Sequence, residues 1–88
     1  MKKLNFNIPA TDLGTVVEEV ILADYLASHL KNTSDDNFRK MMYWASTLQA
    51  KEELQLDPED LKLLTNFVEK NKMIPNWLKM NMIEILEA

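Results

Sequence analysis

The chain carries a single histidine, His29, and no cysteine. Nucleophilic or metal chemistry would therefore have to be built from one imidazole, carboxylates and hydroxyls. A catalytic histidine needs an orienting acid on one ring nitrogen and a group to deprotonate at the other. No such set is legible around His29, which falls near the end of a helical stretch, where the helix dipole favours a cation. Asp35-Asp36-Asn37 offers the oxygen donors of a calcium loop but lacks both its alternating acidic spacing and its glycine. No Glu-x-x-His pair occurs, which removes the carboxylate-bridged di-iron arrangement. Glu52, Glu53, Glu59 and Asp60 gather around a helix break and read as a solvated linker and a cap. Gly14 is the only glycine, so no phosphate-cradling glycine loop can be drawn. The expectation is a protein that is not an enzyme, with no catalytic residues, no metal site and no cofactor.

Residue types suited to binding are more plentiful. Met41, Met42, Met73, Met80 and Met82 lie on or beside apolar stripes, with Tyr43, Trp44 and Trp77 nearby. Methionine fills cores by default, but with aromatics it also makes adaptable contact surfaces. A second possibility is a small-molecule site between subunits. There Tyr25, His29, Arg39, Lys40 and Tyr43 would supply stacking and anion contacts to a nucleotide-like ligand. Nucleic acid is not an expected partner, because the net charge is −4, Arg39 is the only arginine and the lysines are scattered. The last two helical segments could be drawn as a helix-turn-helix. Their outward residues Asn76, Lys79, Asn81 and Glu84 include no arginine, and an acidic cap would face the phosphates, so an αα-hairpin is the better reading.

Eighty-eight residues fit one domain, residues 1–88, and the 47% hydrophobic content is that of a folding chain. Leu4, Phe6 and Ile8 alternate with Asn5 and Asn7, the period of a half-buried strand. With Pro9 closing it, this predicts an extended arm over 1–10, strand-like at 3–8, that pairs with no other visible segment of the chain. Helical spacing then predicts four helices, at about 12–30, 34–51, 58–71 and 75–87. The first carries two apolar lines: Leu13, Val16, Val20, Ala23, Ala27 and Leu30, and separately Val17, Ile21 and Tyr25. Ser34 is the expected cap of the second helix. Asp57-Pro58 is the strongest local signal, a cap followed by proline at the first helical position. The expected fold is an all-α bundle of about four helices with an extended N-terminal arm.

The function expected from these features is that of a small, acidic, non-enzymatic interaction or regulatory protein. It would act by binding another protein or by self-assembly into a homo-oligomer. The candidate contact residues are Leu4, Phe6 and Ile8 on the arm, Val17, Ile21 and Tyr25 on the second line of helix 1, and Tyr43 and Trp77. Abundant lysine, asparagine, isoleucine and methionine beside one glycine and one arginine are typical of AT-rich coding sequence, as in many bacteriophages. A phage-encoded accessory or host-directed factor is the corresponding expectation. No N-terminal apolar run resembles a signal peptide, and no apolar stretch reaches the ~20 residues of a membrane span. The chain is expected to be soluble and cytoplasmic, with no membrane partner.

Overall fold

The computed structural model describes residues 1–88. Asp57 begins the most regular part of the fold. Its carboxylate accepts a hydrogen bond from the Asp60 N–H at 2.8 Å, and Pro58 follows at the first helical position. Helix α3 therefore spans Pro58–Lys70, close to its expected bounds. Helix α4 spans Asn76–Glu87 after the Pro75 break and buries Leu78, Met82 and Leu86, one residue per turn. Helix α2 runs Phe38–Gln49 and buries Met41, Trp44, Ala45 and Leu48. It starts later than expected. Asp35 Oδ1 accepts from the Asn37 N–H, forming a turn ahead of the helix, and Ser34 is not its cap. At its far end Lys51 takes a left-handed φ of 63°. The Lys51 and Glu52 N–H groups turn back onto the Leu48 and Thr47 carbonyls, the Schellman closure usually given to glycine.

The first half of the chain departs from expectation. Only Leu22–Asn32 is helical, forming α1, which buries Leu22, Ala23, Leu26, Ala27 and Leu30. The preceding residues form a β-hairpin of β2 (Pro9–Asp12) and β3 (Thr15–Ile21). Five of the seven β3 residues are β-branched, a composition that favours extended backbone. The arm also finds a partner within the chain. Strand β1 (Lys2–Leu4) pairs antiparallel with β4 (Leu54–Leu56), Leu4 opposite Leu54 and Lys2 opposite Leu56. With four helices and two two-stranded antiparallel sheets, the fold is α+β, and the all-α expectation is overturned.

One apolar core joins these elements, and no buried residue is polar or charged. Helices α1 and α2 make the most extensive contact, and both bury small residues, Ala23 and Ala27 on α1 and Ala45 on α2. They run antiparallel, and an exposed ion pair links Asp24, in the first turn of α1, to Lys51, just past α2. The arm packs inside this core. Phe6 is fully buried, and Asn5 Oδ1 accepts from the Asn7 N–H while the Ile8 N–H turns back onto the Phe6 carbonyl. That kink aims the Phe6 and Ile8 carbonyls at the start of α1, where they accept from Ala23 (2.8 Å) and Leu22 (3.0 Å). The first N–H groups of a helix lack partners within it, and here the arm backbone replaces a side-chain cap. Lys2 Nζ reaches the Leu86 carbonyl at 3.2 Å and closes the other end of the molecule. No helix is long and apolar enough to cross a membrane.

Candidate interaction surface

Asp12 and Thr15 face each other across a two-residue turn, Leu13-Gly14. Turns of this length match the strand twist in the primed conformations, and type I′ needs positive φ at both central residues. Leu13 adopts 47° and Gly14 adopts 89°. Glycine does this freely, whereas a side chain in the left-handed region costs about 1–2 kcal/mol. Asparagine is the usual residue at the first position of this turn. Leucine stands there instead, with 97% of its surface exposed. Its placement thus costs the monomer twice, once in backbone strain and once in exposed apolar area. Burying a leucine against a partner would return about 1.5–3 kcal/mol.

The tip sits on α4. Asn81 binds both backbone groups of Thr11: its Oδ1 accepts from the Thr11 N–H and its Nδ2 donates to the Thr11 carbonyl, each at 2.8 Å. Between tip and helix lies a groove of about 220 Å³, lined by Leu13, Trp77 and Met80 with Thr11, Asn81 and Glu84. Met80 is 60% exposed and Trp77 is half-buried, so apolar surface in the groove stays open to solvent. Val16, also exposed, lies opposite Thr11 on β3. A second exposed apolar face lies on α2, where Phe38 and Met42 are one turn apart, Tyr43 is beside them, and the Arg39 guanidinium sits 5.7 Å from the Phe38 ring centre. That face is an ordinary unstrained helix.

The structure redistributes the candidate contact residues. Leu4 and Phe6 are buried in the core, so the arm is not a free surface. The expected lack of a partner strand failed because Leu54-Gln-Leu56 alternates for only three residues. Ile8 is partly exposed beside the kink. Ile21 and Tyr25 are half-buried against the core, which accounts for the second apolar line of helix 1 without a neighbouring molecule. Val17 is half-buried on β3, opposite Ala10. Tyr43 is exposed on α2, and Trp77 lies in the tip groove. Sequence reasoning missed Leu13 and Val16 as surface residues by placing them on a helix. The one glycine of the chain, directly before a β-branched run, was the signal available.

The residues of the nucleotide reading do not converge. Tyr25 and His29 lie one turn apart with ring centres 4.7 Å apart and planes tilted by 48°, and partial burial lowers the His29 pKa from its usual 6.5. Lys40 donates to Asp60 at 2.6 Å, and this bond raises its pKa. Tyr25 lines a groove with Glu19 and Asp24, while Tyr43 lines another with Glu52 and Glu53. Neither groove is lined by a lysine or arginine. A further groove of about 400 Å³ runs over Met41, Leu63 and Phe67 beneath Lys70 and Lys72, and contains none of the five. No three His, Asp or Glu side chains converge as metal ligands would. Comparison with protein-family models, with curated proteins and with solved structures finds no match to this chain.

Proposed function

We propose that this is a small interaction protein without catalytic activity of its own, which binds another protein through the β2–β3 hairpin tip and the adjoining α4 groove. The observation that carries this reading is Leu13, held at positive φ and almost fully exposed. Strained residues persist where the surrounding structure enforces them, and they cluster at contact and switch regions. Here Asn81 clamps the hairpin to α4, so the tip is held in place and its leucine projects. Trp77 and Met80 extend the apolar area, and aromatics with methionine suit the centre of an interface. As part of the same reading the protein acts in the cytoplasm as a regulatory or accessory factor, and its AT-rich composition agrees with a phage-encoded, host-directed one.

The premises of self-assembly are weaker than the sequence suggested, because the arm and the second apolar line of helix 1 are satisfied inside the chain. Site-directed crosslinking tests the proposal. A photoreactive residue at Leu13 should crosslink a partner protein in the producing cells, and the same residue at exposed Lys62 on α3 should not. Equal crosslinking from both positions, or none from Leu13, contradicts it.

A further inference from the structure

The hairpin has two edges, and only one is covered. Asp12 and Thr15 close the two-residue turn as a hydrogen-bonded pair, so in the next pair, Thr11 and Val16, the backbone groups point outward. On the β2 side Asn81 takes both outward groups of Thr11. On the β3 side the N–H and carbonyl of Val16 meet no strand, side chain or loop. The edge continues irregularly. Val17 and Ile21 pair with the adjacent residues Ala10 and Pro9, so Glu18, Glu19 and Val20 swell out of the ladder. Exposed strand edges are templates for pairing, and proteins blunt them with charge and bulges.

The charge here selects the strand that can be added. Residues 4–30 contain Asp12, Glu18, Glu19 and Asp24 and no lysine or arginine, so the whole net charge of −4 resides in this segment and the remainder of the chain is balanced. Asp24 is paired with Lys51, whereas Asp12, Glu18 and Glu19 form no ion pair. A second copy pairing along this edge would bring two segments of the same negative charge together, and like charges across strands are unfavourable. A cationic strand meets the opposite situation, and its approach is steered by the same field.

We propose that the occupant of the β3 edge is an extended, lysine- or arginine-bearing segment of another protein, added as a third strand beside Val16 and the Glu18-Glu19 bulge. This rests on the hairpin being the interaction site and adds the conformation and charge of what it binds. The outward N–H and carbonyl of Val16 would fix the register of the added strand, and its side chains and charge would supply the affinity and selectivity.

A displayed library of random peptides, selected against the full chain, tests the proposal. The enriched peptides should alternate β-branched or aromatic residues with lysine or arginine, and their binding should weaken as salt rises. Val16→Pro removes the outward N–H without touching the ladder to β2, and should abolish that binding while leaving the thermal transition in place. Reversal of charge by Glu18→Lys with Glu19→Lys, at two exposed positions, should lower the affinity at least about tenfold. Enrichment of acidic or helical amphipathic peptides, full binding by both variants, or no enrichment at all overturns the assignment. Peptides lost on Leu13→Asn but indifferent to Val16→Pro and to charge reversal contradict the added strand alone. Cationic strands that ignore Leu13→Asn contradict the tip reading instead.

Discussion

The Asn81 amide stands in for a β-strand against Thr11, accepting from its N–H and donating to its carbonyl, each at 2.8 Å. It also donates to the Trp77 carbonyl of its own helix at 2.6 Å, which orients the amide. This side chain supplies the side-chain hydrogen bonds between the hairpin and α4. Replacing it by leucine removes both bonds to Thr11, each worth about 0.5–1.5 kcal/mol net, and the local bond to the Trp77 carbonyl. Asn81→Leu should therefore lower stability by about 1–2 kcal/mol in denaturant titration. Amide exchange at Thr11 should accelerate more than exchange in α1. Unchanged exchange at Thr11 would show that the hairpin is held by other contacts.

Phe6 tests the position of the arm. As a fully buried aromatic whose carbonyl also caps α1, it should cost about 3–5 kcal/mol when replaced by alanine, a large share of the stability of so small a chain. Circular dichroism of Phe6→Ala should show loss of helix near room temperature. A variant of parental stability would return the arm to the surface.

Asp57→Ala removes the one side-chain cap among the four helices, with loss of about 0.5–2 kcal/mol. Pro58 fixes the helix start, so no neighbouring residue can replace the cap. A denaturation midpoint equal to the parent's would contradict this.

His29 gives the pH dependence. Burial lowers its pKa in the folded protein below the 6.5 of the unfolded chain, so the unfolded state binds the proton more readily. Its contribution to stability is complete above pH 6.5 and is lost as the pH falls through the lower, folded value. Melting temperatures measured downward from neutral pH should fall less steeply in His29→Gln than in the parent. Identical slopes would show that the ring titrates as freely in the fold as outside it.

The elements read correctly from sequence are those whose signals are local. Asp57-Pro58 starts α3 through its own side chain and ring, and Pro75 separates α3 from α4. The elements that were misread are set by partners distant in the chain. Helix α1 begins at Leu22 because carbonyls of Phe6 and Ile8 cap it, which no residue beside Leu22 announces. Val16, Val20 and Ala23 happen to fall at helical spacing, and that coincidence outweighed the β-branched run and the glycine before it. Strand β4 is three residues long and acquires meaning only when Leu4 lies opposite Leu54. For the candidate surface, Trp77 was legible as an amphipathic aromatic. Leu13 was not, since its exposure follows from the turn.

Leu13→Asn separates the two roles of the tip most directly. Asparagine adopts the left-handed region at less cost than leucine, and Asn-Gly is a favoured pair for this turn. In the parent, leucine at φ 47° is strained and 97% exposed. The measurement is paired: melting temperature, and the amount of crosslinked or selected partner retained, on the same preparations of parent and variant. Leu13→Asn should melt higher, by the equivalent of about 1 kcal/mol, and lose the partner. A variant that melts higher and retains the partner in full would show that the hairpin tip is not the contact.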